Sequence, residues 1–298
     1  MVRNWESVER DGWHLFFATG QLHAPELANA RFVDNPKPVD KMNADLVERA
    51  LEAVCGRLGR PFRRSRHALT WWVRNGGNAE GVGDMFIKVL DAPRGLRKLK
   101  QLLSQPREEY VARMVDELVA ADINAAPVLI YGHETATGRG IIVTARAPGE
   151  ALPRALRMTG AEGLIHKRAL LHALGEEVAR LHRAGFVHGD LTPYNVIVER
   201  GEPPRFVFID HERTCRAPIV GRMRGRLRNL VQLGRLELPG LTRADRVRVL
   251  RAYADALVVP NPRRLIRRTA SMLARRLERD RGRAKTSSNL ERTRCPMQ

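Results

Sequence analysis

Residues Phe186 to Val198 read FVHGDLTPYNVIV. A His, an Asp and an Asn stand among apolar residues, with Pro193 between the Asp and the Asn, where a buried strand is about to begin. Asp190 and Asn195 are five positions apart, and a second apolar stretch, RFVFID, ends at Asp210. The two short strands NVIV and RFVFID flank a turn containing GEPP, so Asn195 and Asp210 are expected to face one another at the mouth of a hairpin. An Asp carboxylate and an Asn amide oxygen are hard ligands, suited to a Mg²⁺ ion that bridges nucleotide phosphates. A separate carboxylate, Asp190, can accept the proton of an attacking hydroxyl. A polar turn capping strand ends would explain Asp190 alone. It would not explain the ordered series of amphipathic helix, loop, hairpin and second Asp.

Working outward, the patterns change character near Gly149. Before it, GWHLFFA (12–18), HALTWWVR, MFIKVL, PVLIYG and GIIVTARA read as strands. The glycines and asparagines of NGGNAEGVGD suit a hairpin turn between the second and third of these. Residues 43–57 read as a helix, with Leu46, Ala50, Val54 and Leu58 at helical spacing. PREEYVARMVDELVAAD reads as another, with Pro106 at its start and acids in its first turn. After Gly149, HKRALLHALGEEVARLHRAG is an amphipathic helix ending at Gly185, and everything beyond Arg222 is helical or polar. The expectation is an α+β chain: residues 1–147 an extension and an antiparallel sheet with one helix, 148–281 a mainly helical half carrying the loop. Residues 282–298 are expected to be a disordered polar tail, and the two lobes to enclose a cleft.

Composition narrows the class. The chain has 298 residues, 43% of them hydrophobic, enough for a sizeable core. The start MVRNWESVER is charged and no window holds the roughly 18 to 20 uncharged apolar residues of a membrane span. Cys55, Cys215 and Cys295 are odd in number and scattered, which suits neither a disulfide framework nor a metal site. A soluble, cytoplasmic protein is expected. The net charge is +19, with 45 of the 52 basic residues arginine. That skew follows either from codon usage in a GC-rich genome or from an anionic partner.

HGDLTPYN followed by FID resembles the kinase catalytic loop, His-x-Asp-x-x-x-x-Asn, and the metal-binding Asp that follows it. The resemblance implies a two-lobed protein-kinase-like fold, ATP and Mg²⁺ as cofactors, Asp190 as the catalytic base, and Asn195 and Asp210 as metal ligands. His188 is then a structural residue that holds the loop through the backbone. The resemblance also calls for a lysine on a strand of the first lobe, and Lys88 in MFIKVL sits mid-strand, where a lysine is costly unless paired. Its partner is expected on the next helix: Glu108 by the helical wheel, Glu109 by resemblance to related kinases. The phosphate-covering loop is expected near GRPFRRSRH, with Arg63, Arg64 and Arg66 as side-chain phosphate contacts. A solvated basic run is the alternative there, and the glycines of Gly81–Gly83 lie too close to Lys88 for that loop.

After Asp210 the chain reads HERTCR, without the Gly of an Asp-Phe-Gly triplet, and Gly189 replaces the Arg common before the catalytic Asp of protein kinases. With FIDHER and the later RNLVQLGRL and LTRADRVRVLRAY, the chain resembles the bacterial lipopolysaccharide core kinases, the heptose and Kdo kinase family, over roughly residues 60–260. That implies phosphorylation of an inner-core sugar hydroxyl on the cytoplasmic side of the inner membrane. His211 stands where an apolar residue is usual. A small-molecule kinase of the aminoglycoside or fructosamine type is the first alternative, and a non-catalytic basic binding protein on a degenerate kinase fold the second. Nucleic acid is not the expected partner. PRRLIRRTASMLARRLERDR places Ile266, Ala270, Leu273 and Leu277 on one stripe among arginines. Such a helix is a candidate for peripheral contact with an anionic membrane surface, or an ordinary helix packed on the second lobe.

Overall fold

The computed structural model of the chain describes residues 4–10, 12–19, 48–53, 58–65, 67–74, 84–92, 105–158, 163–199, 201–218 and 221–293. Two compact units result: Met1–Pro148 with Val207–Glu212, and Gly149–Phe206 with Arg213–Gln298.

In the first unit, strands β1 (Asn4–Arg10), β2 (Trp13–Thr19), β3 (Arg63–Arg64), β4 (Ala68–Val73), β5 (Met85–Leu90), β6 (Val128–Glu134) and β7 (Gly140–Ala145) form one sheet. Its order is β1-β2-β6-β7-β5-β4-β3, with every pairing antiparallel. Period-two alternation sorts the side chains. Met85, Ile87 and Val89 of β5 are buried, while Phe86 and Lys88 between them lie half-buried on the opposite face. The buried set joins Trp13, Leu15, Trp71, Ile130, Ile141 and Val143, and the helical residues 48–53 contribute Ala50, Leu51 and Ala53. Each fully buried Leu, Ile or Met contributes about 1.5–3 kcal/mol of transfer free energy. Helix α1 (Arg107–Ala120) begins after Pro106 and buries Val111, Ala112, Met114, Val115 and Leu118, the i, i+3, i+4, i+7 pattern of one face. Just past it, Phe208 donates to the Asn124 carbonyl (2.9 Å) and accepts from the Ala126 amide (3.2 Å). These bonds bind residues 207–212 into this unit.

The second unit holds β8 (Glu150–Ala151), α2 (Leu152–Arg157), α3 (Gly163–Arg183), β9 (Phe186–Val187), β10 (Val196–Glu199), β11 (Arg205–Phe208), β12 (Cys215–Arg216), α4 (Arg222–Leu233), α5 (Arg243–Ala256) and α6 (Pro262–Thr293). The last two residues of β11 are counted with the first unit. Helices α3 and α5 approach closely at Gly175, where an added Cβ would lie 2.4 Å from the Val249 carbonyl oxygen. Lys167 on α3 reaches Asp245 at the start of α5 (3.0 Å), and Asp245 completes a capping box with Thr242.

The α+β class and the segregation of sheet from helices are as the sequence implies. MFIKVL forms β5 over its full length, and α1 and α3 lie where amphipathic periodicity puts them. Three differences have physical causes. β1, with the charged sequence NWESVER, has no apolar alternation to betray it and is held by pairing with β2. Helix α6 continues through Gly282 to Thr293, where disorder is expected from composition. Its buried row is Leu265, Thr269 and Leu273, with Ala270 exposed, because the helix lies on α4 and α5 rotated from the expected stripe. Of the expected helix at 43–57, residues 48–53 are helical and the remainder lies outside the described residues, as do Gly81–Gly83 and Arg66. Among the described residues, no helix is long and apolar enough to cross a membrane.

Glu108 in the first turn of α1 is 2% exposed, and its carboxylate lies 3.6 Å from His133 Nδ1. Burial pushes its pKa from the ordinary 4.5 to about 7, opposed by its backbone hydrogen bond and helped by the Glu109 charge. Between those two values the folded chain holds a proton that the unfolded chain has released, so stability falls as pH rises from about 4.5 to 7 and levels off above. Glu108→Gln removes this dependence. Urea titrations should show the variant gaining on the wild type by up to about 1.4 kcal/mol per pH unit across the window, with a constant difference above it.

Candidate active site

In the second unit, the loop after β9 is shaped by the backbone first. Gly189 adopts φ +74°, and a Cβ there would lie 2.2 Å from the Arg213 carbonyl oxygen. Only glycine fits, which is why no arginine precedes Asp190. His188 is fully buried; its amide donates to Asn229 Oδ1 (3.0 Å) and its carbonyl accepts from Thr214 Oγ1 (3.2 Å). The Asp190 carbonyl accepts from the Thr192 amide (2.8 Å) and from Asn195 Nδ2 (2.9 Å). A carbonyl can only accept, so this bond identifies the NH₂ end of Asn195 and leaves its amide oxygen for another partner. Pro193–Asn195 form a single 3₁₀ turn, with Pro193 and Asn195 buried and Tyr194 exposed.

Two residues of α4 hold this loop. Gln232 Nε2 donates to the Gly189 carbonyl (3.1 Å) and to Asp190 Oδ1 (3.2 Å), while its Oε1 accepts from the Leu191 amide (3.1 Å) and Asn229 Nδ2 (3.2 Å). Asn229 Oδ1 also takes His182 Nε2 (3.1 Å), and His182 Nδ1 meets the Tyr253 hydroxyl (2.8 Å). Because Asn229 Oδ1 must accept, His182 carries its proton on Nε2 and Tyr253 donates to Nδ1. Burial lowers the His182 pKa to about 4, which keeps the ring neutral. Each donor in the series from Tyr253 to Asp190 therefore has one direction.

In the first unit, Lys88 projects from the middle of β5 beside Thr70 of β4 and Ile142 of β7. Its ammonium lies 3.0 Å from Asp210 Oδ1 and in close contact with Glu212, which also binds Arg107 at the start of α1. Asp210 has φ +67°, a left-handed conformation that Asp tolerates better than most residues. His211 turns inward, 3% exposed, with Nε2 3.0 Å from the Phe208 carbonyl oxygen. The polar residue at an apolar-looking position thus has its own acceptor. Glu108 and Glu109 do not serve Lys88: Glu108 is buried beside His133, and Glu109 accepts from Gln105 (2.9 Å). Arg63 and Arg64 are exposed on β3, next to a tight turn in which Ser65 bonds Ala68.

Residues 101–253, just over half of the chain, match the lipopolysaccharide kinase (Kdo/WaaP) family. This chain belongs to that family. That family is one of kinases. A curated protein of Methanothermobacter thermautotrophicus, "Probable bifunctional tRNA threonylcarbamoyladenosine biosynthesis protein", is 30% identical over 113 residues. That match takes in 38% of this chain, which spans only 18% of the relative's length. Among solved structures, the kinase domain of Mycobacterium tuberculosis PknI is similar at 17% identity and a TM-score of 0.39, covering 71% of this chain and 94% of that one. A doubly substituted form of it gives 16% and 0.36, covering 72% and 94%.

Three residues take their parts from the structure: Glu212, which the sequence marks only as an acid after IDH that also suits small-molecule kinases, and Asn229 and Gln232. For the last two a signal was present, since RNLVQLGRL carries Asn and Gln on the face that buries Leu230 and Leu233. Gln232→Ala leaves Asp190 Oδ1 without its donor while removing little apolar contact. Steady-state assays should show turnover reduced about 10-fold, as for loss of one hydrogen bond to a charged group, with the affinity for ATP little changed.

Proposed function

We propose that this chain is a kinase that transfers the γ-phosphoryl group of ATP to a sugar hydroxyl of the lipopolysaccharide inner core, on heptose or Kdo. The observation that carries the reading is the family match over residues 101–253, which contains Asp190, Asn195 and Asp210. Asp190, with one oxygen held by Gln232, accepts the proton of the sugar hydroxyl as its oxygen bonds to the γ-phosphorus and the bond to ADP breaks. Lys88 carries the positive charge that binds the nucleotide phosphates, and Arg63 and Arg64 are the candidates for covering them. For Mg²⁺ each unit offers one candidate ligand, Asp210 in the first and Asn195 in the second. The fit rests on donor chemistry: a partly exposed carboxylate and an amide oxygen whose NH₂ end is already tied down, both hard oxygen ligands. The ion would neutralise charge on the phosphates.

Asp190→Asn keeps the hydrogen bond to Gln232 within reach but removes proton acceptance. Turnover of ATP with purified core oligosaccharide should fall by about 10² or more, with nucleotide binding retained. Transfer to an aminoglycoside or another soluble amine sugar, with none to the core oligosaccharide, would redirect the reading to a small-molecule kinase.

For a glycolipid acceptor, the proposal extends to contact of α6 with the anionic inner face of the inner membrane. Its apolar row is already covered within the second unit, so any such contact falls to exposed arginines, including Arg267, Arg268 and Arg275. Replacing these three with Gln should release the protein from phosphatidylglycerol vesicles in a sedimentation assay, at about 1 kcal/mol per charge, with the melting temperature unchanged. Equal sedimentation of wild type and variant would reject contact through this face.

A further inference from the structure

We propose that Glu212 is the carboxylate partner that holds Lys88 for nucleotide binding, and that Arg107 fixes Glu212 in that position. The inference rests on the nucleotide site proposed above and adds to it a residue with a separate duty. Lys88 has two carboxylates against it, Asp210 and Glu212, and they differ in setting. The Asp210 side chain is 35% exposed and the Glu212 side chain 11%. Asp210 is therefore the one that solvent, or an arriving cation, reaches. Glu212 is the sheltered one, and its second oxygen is taken by the Arg107 guanidinium.

This division has a chemical consequence. When Asp210 turns to a metal ion, the charge it gave to Lys88 is withdrawn, and a half-buried ammonium without a counter-charge is costly. Glu212 remains. It keeps Lys88 aimed across the sheet face, so that the ammonium meets the phosphates in one orientation. Glu108 cannot do this, since it is buried beside His133 and burial raises its pKa to about 7. Glu109 is engaged with Gln105 one turn back. The sequence explains how Glu212 arrives. Asp210 in the left-handed region starts the 3₁₀ turn His211–Arg213, and His211 anchors its inner side on the Phe208 carbonyl. The two residues flanking His211 then present their carboxylates to the same cation. Arg107 opens α1, so the pair also ties the start of that helix to the turn.

The test is a double-mutant cycle on the full chain, read by calorimetric affinity for Mg²⁺ and a non-hydrolysable ATP analogue, with melting temperature alongside. Glu212→Gln should weaken nucleotide binding about 10-fold, as for loss of a charge-assisted contact, and Glu212→Asp should recover part of it. In a Lys88→Met background, Glu212→Gln should cost nothing further, because the group it positions is gone. Arg107→Gln should weaken binding by a smaller factor, and only where Glu212 is present. Equal losses from Glu212→Gln with and without Lys88 would overturn the proposal and make Glu212 a metal ligand. Binding within two-fold of wild type in Glu212→Gln, with Lys88→Met impaired, would overturn it and leave the nucleotide site standing. Unchanged binding in Lys88→Met itself would remove both. Should Glu212→Gln fail to fold, Glu212→Asp in the same cycle decides: losses that add to those of Lys88→Met overturn the proposal.

Discussion

An ammonium group in the middle of an apolar sheet is the constraint around which the first unit is arranged. β5 lies between β4 and β7, and Lys88 has Ile87 and Val89 as buried neighbours along the strand. Such a charge is tolerated only where opposing charges offset its desolvation. The chain supplies them from far along the sequence, Asp210 from 122 positions away and Glu212 two residues beyond it. Residues 207–212 join the first unit, dock on the backbone after α1 through Phe208, and present Asp210 and Glu212. The left-handed backbone of Asp210 and the burial of His211 follow from this demand. A single αL residue costs on the order of 1 kcal/mol, which the paired charges and the His211 hydrogen bond offset.

The second unit solves a different problem, how to fix a short polar loop without a rigid element of its own. Its solution is a buried series of hydrogen bonds, from Tyr253 through His182, Asn229 and Gln232 to Asp190. Satisfied polar networks of this kind rigidify a site, because any change of one member leaves a buried group unpaired. The orientation of Asp190 is thus set by the packing of α3, α4 and α5, well away from the loop. Helix α4 contributes twice, through Asn229 to the His188 backbone and through Gln232 to Gly189, Asp190 and Leu191.

The arginine excess is partly structural. Arg226 donates to the His182 carbonyl near the end of α3 (2.7 Å), and Arg246 donates to the carbonyls of Gly234 (3.1 Å) and Leu236 (2.7 Å) just past α4. Arg183 reaches the Ala256 carbonyl at the end of α5. Helix C-termini leave carbonyls without intrahelical donors, and a planar guanidinium satisfies them while lying favourably on the helix dipole. Other arginines join α6 to the segment after α4, as Arg235 does with Asp280 and Arg281 with Glu237. Net charge therefore overstates how much positive surface is offered to a partner.

The local sequence determined what depends on short-range periodicity and spacing. β5, α1, α3 and the hairpin strands follow from period-two and helical patterns, and Asp190, Asn195 and Asp210 stand out by their order along the chain. Lys88 was legible because a lysine amid MFIKVL conflicts with its neighbours. The partner of that lysine was not legible. A helical wheel offers Glu108 or Glu109 because it sees only the next element, whereas the carboxylates that reach Lys88 come from a turn whose location is set by β11 docking on residues 124–126. The roles of Asn229 and Gln232, the pairing of the charged strand β1 and the rotation of α6 were hidden for the same reason. Each depends on which face of an element meets which neighbour, a choice made by long-range packing that no window of adjacent residues contains.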